Sequence, residues 1–554
     1  MPLGTPVAAR SSGNIRARAI GLTALSILRL SSACSFLVTR SSATDEDLHA
    51  ANYFLKHRGP DATNVRWRRG VAFMHNLLSI TGPFTVQPFV DRTNDVVALF
   101  NGEIYNFREL GVGEDLRSDG EALLPSYSKH GETFARVFRG EFAIAIADFK
   151  HDLLITMTDT FGTKPFWRAS DADGQWGISS YRSALDSLGF SRAKELPCNT
   201  IEVRQLHTFA LLRSHRVFSF DLRQHKTSLR DWEMAFDESM RRRIGGVRHP
   251  IFIGLSAGLD SGMIGMKLAR ARKPHHIFSI LNGYENQSVV TARHAYAKDI
   301  LGSAMGYVDA ITLSRENYAK SRRWLLQHAE EYKYTNNLPA TTPRGERRPR
   351  MFWDDLRGDP GAIGLSIICE RAHPLGLRIY LSGAGSDEIY SDYGNSTWCS
   401  FCGTFPDNLS AIFPWPGFYG TNQRNFLRKE EHVAGAHGME GRYPFLDVDL
   451  VQEFLWLSVE LKNRALKYPI LETMRKYSYP RPTRKTGFNA GKQLMSGPDT
   501  TQRRSITEIL DQDRSVSSYY RDHKHNYTQG RVVRAILKSF RAGTDHLPHK
   551  RPRP

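Results

Sequence analysis

The hydrophobic pattern of the chain changes in character near its middle. Upstream, short apolar runs alternate with polar turns, and residues 142–147 and 153–157 flank a Lys-His-Asp turn in the pattern of a β-hairpin. Downstream of a helical stretch that starts near Leu229, apolar strands at residues 251–255 and 378–381 each lead into a loop of small residues and then a helix. The pattern predicts a β-rich first half and a parallel α/β second half.

The length of 554 residues exceeds what one hydrophobic core usually serves, so more than one domain is expected. We expect an extension at residues 1–33, a first domain at 34–220, a second at 225–497 and a basic tail at 498–554. Residues 341–361 are rich in proline, glycine and charge, which predicts a surface insertion. Leu466, Ile470 and Met474 recur at helical spacing and are predicted to face the core.

Composition narrows the function classes. No apolar run approaches the roughly 20 residues of a membrane-spanning helix, so no membrane partner is expected. The net charge of +18 fits a nucleic-acid surface, a site for anionic small molecules, or solvated basic ends. The basic residues lack regularly interleaved aromatics, so we expect solvated ends and no nucleic-acid partner.

The N-terminal extension is rich in serine and arginine and lacks acidic residues, which is typical of an organellar transit peptide; a mispredicted start is the alternative. The expected location is the cytoplasm, or an organelle if residues 1–33 are a transit peptide. Five cysteines form no disulfide framework and imply a reducing compartment. Cys399 and Cys402 are expected to be two ordinary loop cysteines, because no further zinc ligands stand near them.

Two loops of small residues indicate a nucleotide site. Each follows an apolar strand, and the amides at the start of a helix form a cradle for anions. If both lie at the carboxyl ends of parallel strands, they face one crevice, where an acidic residue from each can share Mg²⁺. No Walker lysine is present, so the loop is expected to hold a departing pyrophosphate. The residues assigned to ATP are Leu255, Ser256, Gly258, Asp260, Ser261, Ser382 and Gly383, and those assigned to Mg²⁺ are Asp260 and Asp387.

These segments resemble those of known enzymes. SAGLDS at residues 256–261 resembles the SGGxDS loop of ATP-pyrophosphatase ligases, and LSGAGSDE at 381–388 resembles the LSGEGSDE segment of asparagine synthetases. Residues 440–447 resemble the family's ExRxPFLD motif, and Lys467 and residues 484–488 resemble its lysine and RxKxGF elements. The resemblance implies that Lys467 stabilises an adenylate and then the charge of the amide-forming intermediate.

The first half resembles class II glutamine amidotransferases. HRGPD at 57–61, NGEIYN at 101–106, SDGE at 118–121 and DTFGTKP at 159–165 carry this resemblance. The implied fold is an α+β N-terminal-nucleophile amidotransferase sandwich (αββα), followed by an α/β parallel-sheet ATP-pyrophosphatase domain. The resemblance implies an oxyanion hole formed by the Asn101 side chain and the Gly102 backbone, and a glutamine site formed by Arg58, Glu103 and Asp119.

Cys34 is the nucleophile that the resemblance implies. Such enzymes use an N-terminal cysteine whose own α-amino group is the base, so residues 1–33 must be removed or the true start must lie at Cys34. Otherwise Cys34 is a small buried residue.

Three residues depart from the family patterns. Leu77 stands where an arginine usually binds the glutamine carboxylate, and Ala384 replaces the glutamate of LSGEGSDE. Ala257 replaces a glycine, which alanine can do where φ is negative.

The function implied is that of a glutamine-hydrolysing asparagine synthase, which amidates aspartate through an aspartyl adenylate and releases AMP and pyrophosphate. Its substrates would be glutamine, aspartate or another carboxylate, and ATP with Mg²⁺. The alternatives are a ligase for another carboxylate, similar to β-lactam synthetases, and a degenerate nucleotide-binding regulatory protein. The sequence leaves the oligomeric state open.

Overall fold

A computed structural model of the chain describes residues 34–482, except residues 81, 94, 114, 283–284, 335–355, 357, 395–398 and 400. None of the helices described there is long and apolar enough to cross a membrane.

The first half contains two six-stranded antiparallel sheets. The strands, in chain order, are β1 (Ser35–Arg40), β2 (Ala62–Arg68), β3 (Val71–Leu77), β4 (Phe89–Val90), β5 (Val96–Ile104), β6 (Gly140–Asp148), β7 (Leu153–Thr158), β8 (Trp167–Ser170), β9 (Trp176–Ser179), β10 (Lys194–Glu195), β11 (Thr200–Gln205) and β12 (Leu211–Arg216). The orders are β10-β8-β9-β1-β3-β2 and β12-β11-β7-β6-β5-β4. The helices are α1 (Asp45–Arg58), α2 (Leu123–His130) and α3 (Arg182–Ser187).

The alternation of side chains along each strand builds four layers. Phe36 and Val38 of β1 pack with Val97 and Leu99 of β5 in a core between the two sheets. Leu37 faces the opposite way, toward α1 and α3. Ala98 and Phe100 of β5 likewise face outward into a core that includes residues of α2. The order helix, sheet, sheet, helix confirms the predicted αββα sandwich.

The second half contains a five-stranded parallel sheet of order β15-β14-β13-β16-β17. Its strands are β13 (Ile251–Gly254), β14 (His276–Ile280), β15 (Val308–Ile311), β16 (Ile379–Leu381) and β17 (Glu440–Arg442). Its helices are α4 (Arg230–Ile244), α5 (Leu259–Arg270), α6 (Gln287–Leu301), α7 (Arg315–His328), α8 (Pro360–Ala372), α9 (Ser386–Tyr390), α10 (Pro416–Tyr419), α11 (Thr421–Ala436), α12 (Val448–Trp456), α13 (Val459–Asn463) and α14 (Tyr468–Lys476).

Apolar side chains pack against helices on both faces of this sheet. Ile253 and Leu381 pack with residues of α4, α5, α12 and α14, whereas Phe252 and Tyr380 pack with residues of α7, α8 and α11. Burial on both faces explains why β13 is continuously apolar rather than alternating. The predicted parallel α/β domain is therefore confirmed.

Most local predictions are confirmed, with differences at two places. The hairpin of β6 and β7 forms as expected. Of the helical stripe, Ile470 and Met474 are fully buried, but Leu466 is 39% exposed because it precedes α14. Cys399 and Cys402 are bonded as a disulfide, so the expectation of two separate loop cysteines was wrong. A CxxC spacing alone does not distinguish these states.

Several predictions lie outside the described residues. They concern the extension at 1–33, most of the insertion at 341–361, the RxKxGF-like element at 484–488 and the tail at 498–554.

Candidate functional site

The two small-residue loops lie side by side. β13 and β16 are adjacent parallel strands, with Ile253 paired to Leu381, so the loops that follow them emerge at the same edge of the sheet. At Gly383 an added Cβ would stand 2.8 Å from the Cβ of Asp260. Glycine at this position therefore lets the second loop approach the first, and the geometry gives the shared crevice that the sequence predicted.

The first loop is held by its own hydroxyl groups. The Oγ atoms of Ser256 and Ser261 are 2.9 Å apart, and Ser256 Oγ accepts a hydrogen bond of 3.1 Å from the amide of Gly258. Helix α5 begins at Leu259, directly after this turn. The free amides of its first turn provide the anion cradle expected for a nucleotide phosphate.

Two residues assigned to ATP have structural bonds instead of open polar groups. The amide of Leu255 donates to Phe278 O over 2.8 Å, and its side chain is buried in the core. The amide of Ser382 donates to Arg442 O over 2.9 Å, and its hydroxyl accepts from the amide of Ala384 over 3.0 Å. These two residues fix the strand ends from which the loops leave.

Lys467 joins the two loops electrostatically. Its Nζ lies 2.6 Å from Asp260 Oδ1 and 2.8 Å from Asp387 Oδ1, and its side chain is 1% exposed. Burial alone would lower the pKa of Lys467, but the two carboxylates raise it above its ordinary value. The lysine is therefore charged, and the site combines one ammonium with two carboxylates at the crevice.

The same two carboxylates are the candidate ligands for Mg²⁺. The described residues contain no group of three or more His, Cys, Asp or Glu side chains placed to hold a metal. A pair of carboxylates suits Mg²⁺, which keeps several waters and is completed by substrate phosphates. Asp260 and Asp387 therefore fit a metal that arrives with a nucleotide.

Reasoning from the sequence missed two residues that shape the first loop. Arg293 of α6 is fully buried, and its Nη1 donates to the carbonyl oxygens of Ser256 and Gly258 over 2.5 and 2.8 Å. The Glu285 carboxylate accepts the amide of Ala257 over 2.8 Å. A lone arginine in a helical segment resembles any surface residue, so only tertiary packing reveals these contacts.

A buried acid, Glu388, follows Ala384, the residue at which the chain differs from the family's LSGEGSDE segment. Glu388 Oε2 accepts the amide of Gly385 over 3.1 Å, and Oε1 accepts the hydroxyl of Tyr393. Burial, together with the neighbouring carboxylate of Asp387, raises the pKa of Glu388 to about 7. The segment 381–388 therefore keeps a titratable carboxyl group, Glu388, although Ala384 replaces the family's first glutamate.

Cys34 lies at the junction of the two halves. Its Sγ accepts the amide of Leu78 over 3.2 Å, and both residues pack in the same core cluster as β13 and β16. Burial raises the pKa of the Cys34 thiol, and the carboxylates of Glu440, Glu103 and Asp119 raise it further. Leu77 is also buried in this cluster, where the family pattern has an arginine.

Asn101 and Gly102 are the residues predicted to form an oxyanion hole. Asn101 is 1% exposed, yet neither its Oδ1 nor its Nδ2 has a hydrogen-bond partner in the protein. Gly102 has φ of +131°, and an added Cβ would stand 1.9 Å from the carbonyl oxygen of Glu141. The buried amide therefore offers a hydrogen-bonding group that a ligand or a water molecule can satisfy.

The three predicted glutamine ligands differ in their surroundings. Asp119 is buried and accepts the amides of Ile104 and Gly120, each over 2.9 Å; burial raises its pKa to about 7. Glu103 lies 3.2 Å from Nη2 of Arg442 in the second half. Asp119 is thus held by backbone amides, whereas Glu103 faces a cation of the protein.

Arg58 does not fit its predicted role. Its side chain is fully buried, and Nε donates to the carbonyl oxygen of Cys34 while Nη1 and Nη2 donate to Tyr181 and Glu431. Four of its five N–H groups are thereby taken by protein acceptors. Because the guanidinium is already paired, we correct its assignment from glutamine ligand to a contact between the backbone of Cys34 and the second half.

Comparisons with known proteins agree with this architecture. Residues 32–217 match the family described as glutamine amidotransferase domain, and residues 420–552 match the family described as asparagine synthase. The asparagine synthetase [glutamine-hydrolyzing] of Sandersonia aurantiaca is 24% identical over 423 residues, covering 74% of each chain. The Gallus gallus protein of the same description is 26% identical over 461 residues, covering 75% of each chain.

A solved structure of glutamine phosphoribosylpyrophosphate amidotransferase from B. subtilis covers 51% of this chain and 91% of its own, at 12% identity and a TM-score of 0.29. That likeness is too low to support an argument. The chain therefore carries a glutamine amidotransferase domain followed by an asparagine synthase domain, and it is similar to glutamine-hydrolysing asparagine synthetases over about three quarters of its length, which identifies it as a glutamine-dependent carbon–nitrogen ligase.

Proposed function

We propose that the chain amidates aspartate to asparagine, using ATP and glutamine and releasing AMP and pyrophosphate. The observation that carries the proposal is the charged Lys467 between Asp260 and Asp387, on two loops at the ends of adjacent parallel strands. Such a site offers a fixed cation and an anion cradle where phosphate charge would be released. We also propose domains at residues 34–220 and 225–497.

In the synthetase half, a carboxylate oxygen of aspartate attacks the α-phosphorus of ATP, and pyrophosphate leaves with the electron pair of the broken P–O bond. The amides of the first turn of α5 hold the phosphates, and Lys467 faces the charge that develops at the reacting centre. Ammonia then attacks the acyl carbon, and AMP leaves. Mg²⁺, held by Asp260 and Asp387, would neutralise phosphate charge.

In the amidotransferase half, the Cys34 sulfur attacks the side-chain amide carbon of glutamine, the C–N bond breaks to release ammonia, and water then hydrolyses the thioester to give glutamate and the free thiol. Asn101 Nδ2 and the Gly102 amide would stabilise the oxyanion, and Asp119 and Glu103 would hold the α-ammonium. The base must be the α-amino group of Cys34, because an amide nitrogen cannot accept the proton. The proposal therefore requires that the active protein begin at Cys34.

The test is to identify both the mature N-terminus and the nucleotide product. We expect Cys34 as the first residue of the active protein, and AMP with pyrophosphate from ATP, aspartate and glutamine. Cys34→Ala should abolish the use of glutamine and leave reaction with added ammonia intact. ADP as product, or no turnover with either nitrogen source, would contradict the proposal. The active protein would work in the cytoplasm, or in an organelle if residues 1–33 direct it there.

Ala384 favours a second candidate, a ligase for a different carboxylate. Alanine cannot take part in the proton transfer or acceptor binding expected of the family glutamate at this position. A panel of carboxylates, scored by pyrophosphate release with ammonia present, separates the candidates. Release with another acid but not with aspartate would favour the second; ATP binding without any release would favour a regulatory protein.

A further inference from the structure

A buried ionic cluster crosses the boundary between the two halves. It consists of Arg58 at the end of α1, Lys164 after β7, and Glu431 of α11, which we call the Glu431 cluster. The three side chains are at most 1% exposed. Removing charged groups from water costs free energy, and only close, well-oriented partners offset that cost.

Glu431 is the centre of the cluster. Its Oε2 lies 2.6 Å from Arg58 Nη2, and its Oε1 accepts from Lys164 Nζ over 2.8 Å and from the Tyr443 hydroxyl over 2.7 Å. Its backbone carbonyl accepts Arg58 Nη1 over 2.6 Å. Glu431 therefore both pairs with the charge of Arg58 and fixes the orientation of its guanidinium.

Arg58 extends this arrangement to the nucleophile. Its Nε donates to the carbonyl oxygen of Cys34 over 3.1 Å. That bond fixes the peptide plane that follows Cys34, and with it the direction in which the thiol leaves the main chain. A continuous series of contacts therefore connects Glu431 of α11, through Arg58, to Cys34.

The helix surface is shaped to admit the guanidinium. At Gly435 of α11, an added Cβ would stand 2.6 Å from Arg58 Nη1 and 2.9 Å from the Tyr181 hydroxyl. Any larger side chain at this position would displace Arg58. The absence of a side chain here is a second feature, independent of charge, that places Arg58 against α11.

We propose that Glu431 is a positioning residue for Cys34, so that the glutamine site is complete only when the synthetase half is docked against it. The inference rests on the proposed function for its enzymatic consequence. Its structural content, that Glu431 sets the position of the thiol through Arg58, is testable without turnover.

The experiment compares Glu431→Gln with Glu195→Gln in the full chain. Glu195 is a matched control because it also pairs across the boundary with α11, contacting Arg424 at 2.9 Å and Arg428. Its partners lie on the same helix as Glu431, but its contacts do not lead to Cys34. The readout is the rate of Cys34 alkylation by iodoacetamide as a function of pH, followed by mass spectrometry of the Cys34 peptide.

We expect Glu431→Gln to raise the Cys34 alkylation rate at least fivefold at pH 8 and to shift its profile to lower pH, because a released thiol is less buried. Glu195→Gln should stay within twofold of the unaltered protein. In protein that begins at Cys34, Glu431→Gln should lower kcat for glutamine hydrolysis at least tenfold with less than a threefold change in KM.

Equal effects of the two substitutions, or an unchanged Cys34 alkylation profile in Glu431→Gln, would overturn the inference. If Glu431→Gln does not fold, the double variant Lys164→Met/Glu431→Gln, which removes one buried cation with the anion, is measured instead under the same criteria. Ammonia-dependent pyrophosphate release is scored separately. Its absence from the unaltered protein refutes the proposed function, while the alkylation result still decides the role of Glu431.

Discussion

Replacing Lys467 with methionine tests the synthetase site most directly. Methionine keeps much of the length and apolar volume of the lysine but removes the charge that stands 2.6 and 2.8 Å from Asp260 and Asp387. Removal of one preorganised charge-stabilising group typically lowers a catalytic rate by about 10²–10³, or about 3–4 kcal/mol. We therefore expect pyrophosphate release to fall by about this factor.

The effect on stability should be smaller. Breaking a fully buried ion pair costs about 3–5 kcal/mol, but the carboxylates of Asp260 and Asp387 are 24% and 20% exposed and remain partly hydrated. We expect a loss of about 1–3 kcal/mol after this discount, measured by denaturant unfolding. The change would also leave the two carboxylates without the cation between them.

Lys462→Met is the matched control. Lys462 is also buried, five positions earlier in the chain, but its Nζ donates to the carbonyl oxygens of Leu455 and Leu457 and to the side chain of Gln224. Its loss should destabilise the protein by about 1–3 kcal/mol and leave pyrophosphate release per folded molecule within threefold of normal. The reasoning is refuted if Lys467→Met keeps a rate within threefold of normal, or if both variants lose the same activity.

Three further predictions concern the remaining site residues. Gly102→Ala should destabilise the protein by about 3 kcal/mol or more, because its Cβ would stand 1.9 Å from the carbonyl oxygen of Glu141; Gly174→Ala, at φ +73° with open space around it, should cost only about 1–2 kcal/mol in the same unfolding assay. Asn101→Ala should lower glutamine hydrolysis about 10²-fold but cost almost no stability, because its amide has no partner in the protein; a loss of more than about 1 kcal/mol would indicate a structural role instead. Burial raises the pKa of Glu388 to about 7, so the folded state binds the proton more tightly and stability falls as pH rises from the unfolded value of 4.5 to about 7. The fall should reach about 3 kcal/mol, and Glu388→Gln should remove it, so equal slopes for the two proteins in urea unfolding at pH 5 and 8 would contradict the assignment.

Apolar patterns in the sequence predicted a β-rich first half and a parallel α/β second half, and the resemblance to amidotransferases implied the αββα sandwich. Both β5 and β13 contain continuous apolar runs, because each strand is buried on both faces. The two small-residue loops could likewise be placed at strand ends, because a strand, a turn and a helix start are encoded by contiguous residues. Lys467, Asn101 and Gly102 were identified through resemblance of short segments, and the spatial arrangement is consistent with their proposed roles.

The tertiary structure alone decided which charges meet. Arg58 belongs to the same short motif whether it binds a ligand or pairs with Glu431, and its partner lies far along the chain on α11. The contacts of Arg293 with the first loop, and of Lys467 with both carboxylates, also depend on how distant elements pack. The apolar pattern of a strand or helix involves residues close together in the chain, so it can be recognised in the sequence. The pairing of buried charges depends on how distant parts of the chain pack against each other. A single sequence therefore identifies the charged residues but not which of them form pairs.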